Sequence, residues 1–115
     1  MINPWLTFYG DDFTGSTAVM EVLSRAGIST MLFMAPPDVS ILDDHPHLQA
    51  IGVAGVARSK SPKWMKAHLP SILQSLAKFK APVLHYKVCS TFDSSPNIGS
   101  IGVATEIGSA LFDKD

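Results

Sequence analysis

The feature that most constrains the fold is an alternation of short apolar runs with segments of helical period. Trp5–Tyr9 (WLTFY), Ile28–Met34 (ISTMLFM), Gln49–Val56 (QAIGVAGV) and Pro82–Val88 (PVLHYKV) have the length and composition of strands. From Thr14 onward, Ala18, Val19, Val22, Leu23 and Ala26 recur at helical spacing, and Gly27 follows as a C-terminal cap. Ser61 and Pro62 suit an N-cap and first helical position, ahead of Met65, Leu69, Ile72, Leu73 and Leu76 on one helical face. Pro70 falls inside that pattern. An interior proline costs ~3 kcal/mol, so a kink or a break is expected there. Val103, Ala104, Ile107 and Leu111 mark a third helix. The polar segments Asp38–His47 and Cys89–Gly99 read as loops.

Strands alternating with helices through short links call for a parallel sheet covered by helices. The expected order is strand, helix, strand, strand, helix, strand, helix. A helix in such a fold normally leads back into the sheet, whereas here Asp113-Lys114-Asp115 follow the last one directly. An incomplete domain is therefore expected. Apolar residues make up 46% of the 115, and charged residues 17%, which fits a folded chain rather than a disordered one. Nine basic residues against ten acidic ones give a net charge of −1, without the basic footprint of a nucleic-acid binder. No apolar run approaches the ~20 residues of a membrane span, and the N-terminus lacks a signal-type pattern. Cys89 is the sole cysteine, which excludes an internal disulfide and any multi-cysteine metal site. A cytoplasmic setting is the simplest reading.

Ligands of parallel sheets bind beyond the carboxyl ends of the strands. Three polar clusters fall at such ends: Asp11-Asp12-Phe13-Thr14-Gly15, Arg58-Ser59-Lys60-Ser61, and Lys87 through Asp93. Acids, an arginine, a lysine and hydroxyls on one rim suit a small, polyhydroxylated anion. Arg grips carboxylates bidentately, and Asp accepts from sugar hydroxyls. Adjacent side chains of an extended chain point to opposite sides, so Asp11 and Asp12 need not share a task. One is expected to cap the following helix while the other faces the rim. Their adjacency departs from the phosphatase pattern of Asp at positions one and three, and neither GxxxxGK(S/T) nor GxGxxG occurs. The plainer readings are a solvated helix entry for Arg58-Ser59-Lys60, a surface strand end for Lys87 and a turn for Asp93. Phe92 suits packing, Cys89 a buried thiol and His85 a core or rim position. No metal site is expected at Asp43-Asp44-His45-Pro46-His47, which reads as a polar loop.

Taken together, YGDDFTGSTAVMEVLSRAG, GVARSKSP and HYKVCSTFDSSPNIGSIG resemble the N-terminal domain of the four-carbon acid sugar kinase family, in order and in spacing. The resemblance runs from about Trp5 to the end of the chain. It implies ATP-dependent phosphorylation of a four-carbon sugar acid such as a threonate, erythronate or 3-oxo-tetronate. It also implies that this part holds the sugar acid while a C-terminal domain, absent here, supplies the nucleotide site. Asp11, Asp12 and Thr14 fall on the family's paired-acid motif, Arg58 and Ser59 on its Arg-Ser strand end, and Lys87, Ser90, Thr91, Phe92 and Asp93 on its K-x-x-S-T-F-D segment. These are the candidate substrate-binding residues (Phe92 apart), with Asp12 or Asp93 as candidates for the catalytic base. Two departures stand out: Ser16 where many members carry alanine, and NIGSIG after Pro96 where many read P-x-G-N-I-G.

The resemblance thus implies an α/β, Rossmann-like three-layer fold with a parallel sheet of about four strands, in an incomplete domain over residues 1–115. ATP and Mg²⁺ would serve the full-length enzyme, with neither bound tightly by this chain alone. Phosphoryl transfer depends on positioning and charge stabilisation, so the isolated chain is expected to be inactive. The alternatives are a non-catalytic small-molecule-binding or interaction fragment, and a Mg²⁺-dependent sugar phosphatase. Partners would be the sugar acid and the missing nucleotide-binding domain, with neither nucleic acid nor membrane.

Overall fold

Residues 4–88 and 94–112 are described in the structure, a computed structural model. Four short strands, β1 (Leu6–Gly10), β2 (Thr30–Phe33), β3 (Ala50–Ala54) and β4 (Val83–Lys87), pair entirely in parallel in the order β2-β3-β1-β4. The helices are α1 (Phe13–Arg25), α2 (Ile41–Asp44), α3 (Pro62–Ala77) and α4 (Ile101–Leu111). The fold is α/β and Rossmann-like, in three layers, as expected.

Side-chain alternation along the strands divides the interior into two cores. Leu6, Phe8 and Ala50 pack with Val19 and Leu23 of α1. Tyr9, Ile51 and Val53 pack on the other face with Met65, Leu69, Leu73 and Leu76 of α3 and Ala104 of α4. The helical stripe read from the sequence is therefore only half right for α1. Val19 and Leu23 turn inward, while Val22 is 68% exposed. The helix also starts one residue early, at Phe13, because Asp12 caps it.

Of the kink or break expected at Pro70, the break does not occur. Helix α3 runs unbroken from Pro62 to Ala77. Met65, Leu69, Leu73 and Leu76 are all essentially inaccessible to solvent. Each such burial stabilises by about 1.5–3 kcal/mol, which together exceeds the ~3 kcal/mol that an interior proline costs. The segment read as one loop, Asp38–His47, contains the single turn of α2, whose Leu42 is buried together with the nearby Leu48.

The crossovers fix where a ligand can bind. From β1, the chain passes through α1 to reach β2; from β3, it passes through α3 to reach β4. These two connections run in opposite directions across the sheet and lie on opposite faces. They part at the carboxyl ends of β1 and β3, which opens the crevice where ligands of such sheets bind.

Candidate functional site

Around that crevice, main-chain hydrogen bonds join all three polar clusters. The Arg58 N–H donates to the Asp11 carbonyl at 3.0 Å, and the Asp11 N–H donates to the Lys87 carbonyl at 3.0 Å. The Gly99 N–H donates to the Lys60 carbonyl at 2.7 Å, which ties the loop before α4 to the same rim. Gly99 holds φ +58, and a side chain there would collide with the Arg58 carbonyl. Glycine is required on both counts.

Asp12 is the hub. One of its carboxylate oxygens accepts from the Gly15 N–H at 2.8 Å and caps α1, while the other accepts from the Arg58 Nη1 at 3.2 Å. Its carbonyl accepts from the Ser16 hydroxyl at 2.6 Å. Ser16 is fully buried, so the departure from alanine noted in the sequence adds a bond that holds the first turn. Arg58 is the middle residue of the short 3-10 turn Ala57–Ser59, with 43% of its side chain exposed.

Asp11 lies deeper, only 4% exposed. Its charge adds to burial in raising the phenol pKa values of Tyr9 and Tyr86, for which burial is the larger cause. The two rings stack at a tilt, 5.3 Å between centroids. The Tyr9 hydroxyl faces the N–H groups of Ala57 and Val56, short of full hydrogen-bond geometry. The expected division of labour between the two acids is thus altered. The cap, Asp12, is also the one at the rim, and its neighbour is buried beneath it.

Lys87 lays its stem along the first turn of α1, near Gly15, and its Nζ donates to the Val88 carbonyl at 2.6 Å. Thr14 and Ser59 are exposed, and the Ser59 hydroxyl donates back to the Val56 carbonyl at 3.1 Å. Ser90, Thr91 and Asp93, with Cys89 and Phe92, lie outside the described residues. Of the nine candidates, Asp11, Asp12, Arg58 and Lys87 are brought together at the strand ends. Sequence reasoning noted Ser16 only as a departure from alanine and missed its bond to the Asp12 carbonyl, as it missed the Gly99–Lys60 link. A serine four residues after a capping Asp is the signal that could have found the first.

The sugar-binding N-terminal domain family model matches residues 6–115. The chain belongs to that family. It is 52% identical over 103 residues to a 3-oxo-isoapionate kinase of Paraburkholderia graminis, covering 90% of this chain and 22% of the relative. It is 34% identical over 113 residues to a 3-oxo-tetronate kinase of Cupriavidus necator, covering 98% of this chain and 26% of the relative. A 3-oxo-tetronate kinase of Pseudomonas fluorescens is 31% identical over 107 residues, with 90% and 24% covered. The chain thus spans about a quarter of the length of these kinases. The family match extends across the whole rim, from β1 to the end of α4. Among the described residues, no helix is long and apolar enough to cross a membrane.

Proposed function

We propose that this chain is the sugar-acid-holding part of an ATP-dependent kinase whose acceptor is a 3-oxo sugar acid of the isoapionate or tetronate kind. The observation that carries the reading is the Asp12–Arg58 contact at the crevice between β1 and β3, in a domain of the sugar-binding family. The substrate class is taken from the kinases to which the chain is similar.

In this reading, Arg58 and Lys87 meet the substrate carboxylate or the developing phosphate charge, and Arg58 offers a planar fork suited to either. Asp11, Asp12 and Asp93 take hydroxyls, with Thr14, Ser59, Ser90 and Thr91 around them. Asp12 has both carboxylate oxygens engaged, which favours Asp93 of the two candidates for the base. ATP and its Mg²⁺ are assigned to the remainder of the longer protein, and the isolated chain is inactive in turnover. A cytoplasmic setting goes with this assignment.

Calorimetric titration of the chain with 3-oxo-tetronates and 3-oxo-isoapionate should show binding that Arg58→Ala abolishes. ATP-dependent turnover should be absent until the chain is joined to the remaining length of a related kinase. Failure of every such acid to bind overturns the substrate assignment, and turnover by the isolated chain overturns its inactivity. Binding without turnover in the joined protein supports a non-catalytic binding fragment instead.

A further inference from the structure

We propose that the outer edge of β4, with the cleft beneath α4, seats a fifth parallel strand supplied by residues that follow α4 in the longer protein. The inference is independent of the substrate assignment.

Three observations converge on it. The first is the hydrogen-bonding state of the edge. β4 is the last strand in the order β2-β3-β1-β4. Lys87 presents its carbonyl to β1, where Asp11 N–H meets it, so alternate residues Val83, His85 and Lys87 bond inward. The backbone groups of Leu84 and Tyr86 consequently point outward, and among the described residues no strand pairs with them.

The second is the surface beside that edge. A cleft of about 770 Å³ lies there, lined by Leu84 and Tyr86, Leu73 of α3, and Ala104, Leu111 and Phe112 at α4. Natural edge strands are blunted by charge, proline or bulges. On the side facing this cleft, β4 carries Leu84 and Tyr86 instead. Open backbone groups beside an apolar trough fit an extended segment that pairs with one and fills the other.

The third is handedness. α3 and α4 pack against the same core, on one face of the sheet. The β3–α3–β4 crossover on that face moves toward the β4 end. Parallel crossovers are right-handed almost without exception, so a helix on the same face continues in the same direction. The strand that follows α4 then lands beyond β4. The kinases similar to this chain are about four times as long, which supplies the residues.

Amide exchange followed residue by residue tests the seat. This chain would be compared alone and joined to the residues that follow the matched region in the Paraburkholderia graminis kinase. The Leu84 and Tyr86 amides should exchange rapidly in the chain alone at every concentration, and at least about tenfold more slowly when joined. Gly108→Trp provides a second arm. Gly108 lines the cleft, and a Cβ added there meets nothing within 4 Å, so a side chain leaves α4 toward open space and the chain alone should keep its fold. In the joined protein this substitution should restore rapid exchange at Leu84 and Tyr86 while Val83 and His85 stay protected. Unchanged exchange on joining overturns the proposal. So does protection in the chain alone that rises with concentration alongside a sedimenting dimer, because the occupant would then be a second copy.

Discussion

Replacing Asp12 by alanine removes two interactions at once, and asparagine separates them. The cap on Gly15 N–H is a 2.8 Å bond of the kind whose loss costs about 1 kcal/mol. The partner in the second is Arg58, with 43% of its side chain exposed against 16% for Asp12, so solvent screening is strong. Screening holds such a pair to about 0.2–1 kcal/mol. Asp12→Ala should therefore destabilise by about 1.5 kcal/mol, or about 6 °C at roughly 4 °C per kcal/mol for a domain of this size. Asparagine caps as well as aspartate, so Asp12→Asn should lose only the ion pair's share, about 0.5 kcal/mol or 2 °C. Arg58→Ala should lose at least that much, and combining the two should cost less than the sum of the separate losses. Thermal and urea unfolding followed by circular dichroism reads all four variants. At about 1 M salt, where the screening length falls to ~3 Å, the Asp12→Asn deficit should vanish and most of the Asp12→Ala deficit should persist. Equal losses for the two substitutions would refute the cap, and simple additivity of Asp12→Asn with Arg58→Ala would refute the pair.

Tyr9 and Tyr86 are the only tyrosines in the chain, and burial raises the pKa of both above the ordinary value near 10. Above pH ~10 the unfolded state releases protons that the folded state keeps, so stability is intact below that pH and falls as pH rises further. In an alkaline titration, phenolate absorbance should appear only together with loss of the circular dichroism signal, and Tyr86→Phe should move unfolding to higher pH. Phenolate formation near pH 10 in a chain with unchanged ellipticity would contradict this. Pro70→Ala returns an N–H to the interior of α3. A gain of about 1–2 kcal/mol in urea unfolding is expected, below the full proline cost because the unfolded chain also gains freedom. Loss of stability would mean that the proline ring itself packs into a site alanine cannot fill.

The strands and the two longest crossover helices were legible because their signals are local. Leu6–Gly10 and Val83–Lys87 lie within a residue of the apolar runs that announced them. The convergence of the DDFTG, Arg58 and Lys87 clusters followed from one topological rule, that loops gather at the carboxyl ends of parallel strands. What stayed hidden depended on which way side chains turn after folding. Val22 shares the apolar period of α1 yet faces solvent, because Val19 and Leu23 already cover Phe8 and Leu6. Pro70 looked like a kink or a break because a local cost is visible in sequence, while the burial of its neighbours Leu69 and Leu73, which keeps the helix continuous, is not. The double engagement of Asp12 required Arg58, 46 residues away, to be placed beside it.

The three bonds that knit the rim, between Arg58 and Asp11, Asp11 and Lys87, and Gly99 and Lys60, are all main chain to main chain. Apart from the glycine at 99, any residue but proline can supply such donors, so the loops keep their places whatever side chains they display. If the crevice is the site proposed above, side-chain substitutions there can retune what it accepts without moving the backbone that frames it.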